Sequence, residues 1–184
     1  MSEILSKIRE KSFYKLLFGR TALPMFTIFG IALIYVTLMS IIDHSSFPFH
    51  IIIAIAALLK TIIITASTLK QLSKLIDICH SVKQLLWVFG LILFISIFSF
   101  ATDYTCLYLF NDMAFEGISN YTNSYIFSLY HFFYFSMVTF SNVGYGDITP
   151  VSEVAKFVVM LEIFLSFFLI VFALANIKKI HLNE

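Results

Sequence analysis

Charged side chains are scarce in this sequence. Asp, Glu, Lys and Arg together make up 12% of its 184 residues, and the formal net charge is only +1. Apolar residues, in contrast, make up 60% of the chain. A soluble domain of this size cannot bury so much apolar surface, so the composition excludes an ordinary soluble domain and predicts a membrane protein.

Cysteine is scarce as well, because Cys79 and Cys106 are the only two in the chain. Two cysteines are too few for a disulfide framework, and no Cys/His cluster has the spacing of metal ligands. The sequence also lacks a nucleophile–base set and a phosphate-binding loop, so we predict that the protein is not an enzyme and needs no organic cofactor. Its polar, basic N-terminal segment does not follow the pattern of a cleavable signal peptide.

Long apolar runs dominate the rest of the chain. Four of them are long enough to cross a bilayer as helices, at residues 22–42, 51–69, 85–110 and 153–175. We therefore predict an all-α membrane protein with four transmembrane helices per subunit. The polar residues 43–50 between the first two runs form a tight turn, so residues 21–69 are predicted to be a transmembrane hairpin.

The remaining segments are polar and mostly basic. Residues 1–20 carry basic side chains among apolar ones at helical spacing, which predicts an amphipathic helix on anionic lipids at the cytoplasmic face; a frayed basic tail is the alternative. Residues 70–84 have one apolar face and predict a cytoplasmic linker helix, and residues 177–184 form a short tail. Lys and Arg are absent from the loops 43–49 and 111–124. The positive-inside bias therefore predicts cytoplasmic termini. The expected location is the plasma membrane.

One further apolar segment, residues 125–138, is too short to cross a bilayer. It is rich in aromatic residues and is followed by Thr139, Ser141 and the run Asn-Val-Gly-Tyr-Gly-Asp at 142–147. A short helix followed by irregular backbone is tolerated at membrane depth only where it is buried in protein or lines water. This order of segments therefore predicts a re-entrant helix and loop.

The residue types in this loop suit a cation pathway. A cation that leaves water must exchange its hydration shell for other oxygens, and rings of backbone carbonyl groups supply them when each subunit contributes one extended loop. Successive carbonyl groups face one axis only if left-handed dihedrals alternate along the backbone, which Gly144 and Gly146 accept at little steric cost. Val143 and Tyr145 then direct their side chains away from the axis. Gly-Tyr-Gly alone also suits a surface turn, so the membrane context is the deciding test.

Residues 142–147 resemble the selectivity-filter signature of the tetrameric potassium channel family. Residues 143–147 match the signature, and Asn142 stands where the family usually has Thr. Thr139 and Ser141 are the hydroxyl residues expected just upstream. An aromatic-rich run before the loop and a long apolar helix after it extend the resemblance to both sides.

The resemblance also implies an architecture. It covers residues 85–176, which correspond to a pore domain with a pore helix at 125–138 and a filter at 142–146. Potassium ions are then bound in the filter by four successive residues: Asn142, Val143, Gly144 and Tyr145. Since each chain has one filter motif, four identical chains are expected to form the ring, as a homotetramer. The segments before residue 85 have no counterpart in this family.

Several neighbours of the filter have roles that the resemblance implies. Asp147 lies at the outer mouth, where an acidic ring concentrates cations. Tyr134 and Phe135 occupy the aromatic positions that pack around the filter, with ordinary membrane core as the alternative. Val138 stands where many relatives carry a Glu that braces the filter. Ser166 aligns with the glycine hinge of the inner helix, and a serine bends a helix less readily than glycine does.

Asn142 is the departure from the family with the clearest chemical consequence. Its amide oxygen can bind a cation, but the two N–H donors of the same amide repel one. The chain is therefore predicted to be a potassium-selective channel, with a weakly selective sodium and potassium channel as the alternative within the class. A non-conducting regulatory membrane subunit is the alternative from another class.

Asp103 interrupts the third apolar run near its end, and two further charged residues lie deeper, Lys60 in the second run and Glu162 in the fourth. Such charges usually have partners or functions, and counting about 1.5 Å per residue puts both near mid-membrane. We therefore hypothesise an ion pair between Lys60 and Glu162 that ties the hairpin to the pore. The alternative is that Lys60 extends toward the interface and that Glu162 is neutral or lies behind the filter. Lys60 alone cannot form a voltage sensor, because such sensors need several gating charges.

Overall fold

The computed structural model describes residues 49–76, 82–118 and 125–181, together with Gly30. Within these residues the chain forms four α-helices: α1 (Phe49–Ile76), α2 (Val82–Phe110), α3 (Tyr125–Phe140) and α4 (Glu153–His181). The predicted amphipathic helix at 1–20 and, apart from Gly30, the predicted first span at 22–42 lie outside the described residues.

Two of the four helices contain apolar stretches long enough to cross a membrane. They are Phe89–Phe110 in α2, with 22 residues, and Glu153–Ala175 in α4, with 23 residues. At about 1.5 Å per residue each stretch is about 33 Å long, which matches a hydrocarbon core of about 30 Å. The apolar stretch of α1, His50–Ala66, is shorter. These helices confirm the prediction of a mostly helical protein with membrane-length helices.

Helix α1 extends well beyond the apolar run that predicted it. No proline or glycine lies between Phe49 and Ile76, so no residue there interrupts the backbone hydrogen bonds. Residues 70–76 therefore continue α1, and residues 82–84 belong to the first turn of α2. The structure thus assigns the described residues of 70–84 to two long helices instead of a separate linker helix.

The segment that follows α2 is only partly the exposed loop that its polar sequence predicts. A 3-10 turn, Asp112–Ala114, leads into a short strand β1 (Phe115–Glu116), which pairs antiparallel with β2 (Thr149–Pro150). Ala114 and Phe115 are buried. The difference has a physical cause, since the Phe115 ring packs against rings of α2 and α3.

An aromatic cluster joins these three elements. It consists of Tyr104 in α2, Phe115 in β1, and Phe132 and Phe135 in α3. The ring centroids of Phe115 and Phe132 are 4.8 Å apart, and those of Tyr104 and Phe135 are 5.2 Å apart, both in edge-to-face geometry. Each such pair contributes about 0.5–1.5 kcal/mol beyond the area that it buries. The cluster therefore fixes α3 against α2 and sets the position of the loop that follows α3.

Helix α4 begins directly after β2 with an ordinary cap. The Ala155 amide donates to the Ser152 hydroxyl oxygen at 3.1 Å, as in a serine N-cap. Glu153 in the first turn complements the positive end of the helix dipole. From this start α4 packs against α1, α2 and α3. The loop between α3 and β2 is thus held between two anchored helices.

Candidate functional site

The loop between α3 and β2 begins with a left-handed turn at Asn142. The Asn142 amide donates to the Thr139 carbonyl at 2.9 Å, and the Val143 amide donates to the Val138 carbonyl at 3.2 Å. These two bonds around a residue with a φ of 56° form a Schellman motif, which satisfies the last carbonyl groups of α3. Asparagine is one of the few residues besides glycine that adopt this conformation readily. The residue that departs from the family signature is therefore the residue that ends α3.

Left-handed backbone recurs at every second residue of this loop. The φ angle is 56° at Asn142, 60° at Gly144 and 76° at Gly146. A Cβ atom built on either glycine meets no atom within 4 Å. Glycine is therefore required at these two positions for its backbone conformation and not for space. The alternation is the backbone pattern that a row of carbonyl groups facing one axis needs.

The side chains of the loop are uncovered in a single chain. Residues 141–147 are all exposed, and Val143 and Tyr145 retain 55% and 70% of their accessible surface. Met137 in the adjacent turn of α3 is also exposed. Contiguous apolar surface of this kind marks a surface that contacts lipid or another protein chain.

Asp147, at the outer end of the loop, acts on Tyr134 of α3. The interaction of the Tyr134 hydroxyl with the Asp147 side chain is the largest cause of the raised pKa of Tyr134. The direction follows because a phenol beside an anion loses its proton less readily. Asp147 therefore lies close to the helix that precedes the loop.

Gly117, just after β1, approaches the same end of the loop from the other side. Its φ is 91°, and a Cβ atom built on it would lie 1.7 Å from the carbonyl oxygen of Asp147. The approach results from strand pairing, in which Glu116 lies opposite Thr149. Position 117 therefore requires glycine both for its backbone conformation and for space.

The predicted supporting residues of α3 lie on different sides of the helix. Phe135 and Thr139 are buried, and the Phe135 ring also contacts Phe115, with centroids 5.8 Å apart. Val138 is half-buried, and its carbonyl accepts a hydrogen bond from the Ser141 hydroxyl at 3.0 Å. Phe135 thus anchors α3 to the fold, whereas the neighbouring Tyr134 reaches the loop.

Ser166 of α4 lies next to Asn142. The Asn142 side-chain nitrogen is 3.5 Å from Ser166 Oγ and 3.4 Å from the Phe140 carbonyl oxygen. The Ser166 hydroxyl in turn donates to the Ile163 carbonyl of the preceding turn at 2.8 Å. The two positions at which the sequence departs most clearly from its family therefore adjoin each other in space.

The hypothesised ion pair between Lys60 and Glu162 is wrong. The Lys60 ammonium lies 2.6 Å from Asp103 Oδ1 in α2, with both side chains buried, and 3.4 Å from the Ser99 carbonyl. A buried ammonium requires the nearest available carboxylate, and α2 supplies one at the depth that Lys60 reaches from α1. The pair still ties α1 to the other helices, but through α2.

Glu162 is fully buried and has different partners. The Tyr104 hydroxyl donates to Glu162 Oε2 at 2.5 Å. Ser136 Oγ, in α3, contacts Glu162 Oε1. The side chain therefore connects α4 to α2 and to α3, directly behind the loop.

Sequence reasoning missed four residues of this arrangement: Asp103, Tyr104, Gly117 and Ser136. Asp103 offered a signal, because it is a charge inside an apolar run. It lies seven residues before the end of α2, about 10 Å along the helix, and so within the apolar layer. The other three are ordinary residue types whose importance depends on what the fold places beside them.

A loop with alternating left-handed backbone, which follows a short helix and lies between two membrane-length helices, is the arrangement of an ion-channel pore segment. Comparison with known proteins leads to the same class. The sequence model of an ion-channel family matches residues 86–182, which is more than half of the chain. The chain therefore belongs to the ion-channel family. This family is not an enzyme family, which confirms the corresponding prediction.

One curated relative is similar to a shorter stretch of the chain. Over 52 residues the chain is 40% identical to potassium channel K2 of Plasmodium falciparum. The matched stretch is 28% of this chain and 3% of that protein, so the chain corresponds to a very small part of that relative. No solved structure matches the chain.

Proposed function

We propose that the chain forms a homotetrameric, potassium-selective channel, through which the ion passes down its electrochemical gradient. The carbonyl groups of Val143, Gly144 and Tyr145 form the successive ion sites, and Asn142 forms the innermost one. The observation that carries this proposal is the left-handed backbone at 142, 144 and 146. A row of carbonyl groups facing a common axis requires such an alternation. The short likeness to a protein named a potassium channel supports the choice of ion.

Electrostatics at both ends of the loop favour a cation. Helix α3 ends at the loop, and the C-terminal end of a helix carries partial negative charge. At the other end, the exposed Asp147 adds a carboxylate, which four copies would repeat around the axis. Both features raise the local concentration of cations relative to anions.

The exposed apolar surface around the loop supports assembly. One chain contains one loop, and a closed ring of carbonyl groups needs several. Members of the family generally assemble as oligomers, and we propose that four chains bury Val143, Tyr145 and Met137 against each other. In this assembly α4 is the inner helix with Ser166 at its hinge position, α2 is the outer helix, and α3 is re-entrant.

The proposed topology has four spans per subunit. Residues 22–42 and α1 form a peripheral hairpin, and the Lys60–Asp103 pair attaches it to α2. The distribution of Lys and Arg supports cytoplasmic termini, with residues 1–20 on anionic lipids of the plasma membrane. The loop then faces the outside of the cell.

A weakly selective channel for sodium and potassium is the second candidate function. The side chain of Asn142 favours it, because an amide with two N–H donors, which repel a cation, stands where the family has a hydroxyl group. Val138 favours it too, because a valine cannot brace the loop as an acidic residue can. The two candidates differ in one measurable quantity, the permeability ratio of the two ions.

A reversal potential in a planar bilayer tests the proposal. Purified protein is given a potassium gradient in one direction and an equal sodium gradient in the other, with protein-free lipid as the control. We expect reversal near the potassium Nernst potential. Reversal near zero with robust current would favour the weakly selective channel, and absence of current would favour a non-conducting subunit. A stable dimer or monomer in a mass-based stoichiometry measurement would contradict the tetramer.

Substitution of Asn142 separates its backbone role from its side-chain role. Asn142→Thr restores the residue of the family signature, but a β-branched residue at a φ of 56° costs about 1–2 kcal/mol. We therefore expect a lower melting temperature of the assembled protein, and a larger change in conductance than in the permeability ratio. Asn142→Gly is the matched control, because glycine keeps the left-handed turn and should preserve the melting temperature. Equal melting temperatures for the threonine variant and the unmodified protein would contradict the role assigned to this turn.

A further inference from the structure

Glu162 forms the centre of a buried polar cluster that joins three helices. The cluster consists of Glu162 in α4, Tyr104 and the Ile97 carbonyl in α2, and Ser136 in α3. Ser136 Oγ lies 3.0 Å from the Ile97 carbonyl oxygen and also contacts Glu162 Oε1. Glu162 Oε2 accepts the Tyr104 hydroxyl at 2.5 Å. The side chains of Glu162, Tyr104 and Ser136 are all without solvent exposure.

The number of hydrogens in this cluster depends on the state of Glu162. Three oxygen–oxygen contacts need three hydrogens, but Tyr104 and Ser136 supply one each, and a peptide carbonyl supplies none. An ionised Glu162 therefore leaves one contact without a hydrogen. A protonated Glu162 completes the set: its Oε1 proton goes to Ser136 Oγ, the Ser136 proton to Ile97 O, and the Tyr104 proton to Oε2.

The charges around the cluster favour the protonated form. From α1, the buried cation Lys60 is paired with Asp103. From α2, Asp103 precedes Tyr104 in sequence and adds a negative charge on that side, while α3 contributes the uncharged Ser136. Among the described residues, neither salt bridge includes Glu162. A carboxylate buried without a cation is strongly disfavoured, whereas a neutral acid that is hydrogen-bonded to two hydroxyl groups is not.

We propose that Glu162 is a neutral carboxylic acid that donates to Ser136 and so holds α3 in position between α2 and α4. This role rests on the proposed function, because α3 positions the loop that binds the ion. Ser136 lies six residues before Asn142, so a shift of α3 at this point moves the start of the loop. Glu162 thus supports, from α4, the segment that precedes the loop. Val138 in α3 cannot do so, because its side chain forms no hydrogen bonds. Glu162 is thus a positioning residue and does not touch the ion.

Infrared spectroscopy and a pair of variants test this proposal in the full-length protein reconstituted in lipid at neutral pH. The carbonyl stretch of a protonated carboxylic acid is expected in the unmodified protein and should be missing in Glu162→Gln. Glu153→Gln is the matched control, because Glu153 is exposed and its removal should leave that band unchanged. Glutamine keeps the shape of the neutral acid and a hydrogen-bond donor. The melting temperature and the current of Glu162→Gln should therefore stay close to those of the unmodified protein. Glu162→Leu removes both the hydrogen-bond donor and the acceptor of this side chain, and the current of this variant should fall about tenfold or more.

Two outcomes would overturn the proposal: absence of the acid band from the unmodified protein, or a Glu162→Gln variant that loses stability as fully as Glu162→Leu. The band and the melting temperatures do not depend on conduction. If the unmodified protein carries no potassium current, the proposed function fails, while the infrared result still decides the state of Glu162.

Discussion

Replacement of Gly117 with alanine is expected to reduce the potassium current more than about tenfold, although residue 117 lies outside the ion-binding loop. The new Cβ atom would lie 1.7 Å from the Asp147 carbonyl oxygen and 2.8 Å from its carbonyl carbon. Both are backbone atoms, so the contact can be relieved only by moving one backbone segment away from the other, which breaks the packing that holds Asp147 beside Gly146. Overpacking costs about 1–3 kcal/mol and a left-handed alanine about 1–2 kcal/mol, and about 1.4 kcal/mol already corresponds to a tenfold change.

Gly90→Ala provides the matched control for this experiment. Gly90 lies in α2, where a Cβ atom meets nothing within 4 Å. Alanine favours a helix over glycine by about 1 kcal/mol, so this variant should keep its current and its melting temperature. Both variants are compared in the same bilayer, with reversal potential and current recorded. If Gly117→Ala conducted and selected ions as the unmodified protein does, the close approach of position 117 to the loop would be contradicted.

Local features of this fold could be predicted from the sequence. The apolar runs predicted α2 and α4 because burial in a bilayer requires about 20 apolar residues in succession. The alternating glycines predicted the left-handed backbone at 144 and 146, because few other residues adopt it. Asn142 also carried a local signal, since asparagine is the usual substitute for glycine at the end of a helix. These features depend on near neighbours in the chain, so a single sequence contains them.

Contacts between helices could not be predicted in the same way. Each residue turns a helix by about 100°, so the partner of a buried charge depends on how two helices are rotated against each other. The charges Lys60 and Glu162 suggested a pair, but Asp103 in α2 lies in reach of Lys60 and Tyr104 lies in reach of Glu162. The approach of Gly117 to Asp147 is similar, because it depends on the pairing of two short strands far apart in sequence.

The Lys60–Asp103 pair leads to a prediction about stability. Lys60→Met leaves the Asp103 carboxylate buried without its cation, and Asp103 Oδ2 already has no hydrogen-bond partner in the described part of the chain. Asp103→Asn likewise leaves the Lys60 ammonium buried without its carboxylate. Removal of one partner of a buried pair costs on the order of 3–5 kcal/mol, because the remaining charge is not compensated. We expect each single variant to lower the melting temperature and the yield of assembled protein.

The double variant, Lys60→Met with Asp103→Asn, should recover most of this loss. With both charges gone, nothing buried remains uncompensated, and apolar replacement of a buried pair is often neutral. The matched control is Lys156→Met, which breaks an exposed pair with Glu153 that contributes about 0–1 kcal/mol. Melting temperatures of the unmodified protein, the two single variants and the double variant, measured in the same lipid or detergent, give the coupling energy of a double-mutant cycle. Additive losses in the double variant would show that the two charges do not stabilise each other.

The Lys60–Asp103 pair also lies where its removal can alter the current through the loop. Asp103 is followed by Tyr104, which contacts Glu162 and the aromatic ring of Phe135. A displacement of this turn of α2 therefore reaches α3 and the loop through packed, buried side chains. If the hairpin only adds stability, single variants that still assemble should conduct with unchanged reversal potential. A shifted reversal potential in assembled Lys60→Met, restored in the double variant, would mean that α1 holds the turn of α2 against which α3 is packed.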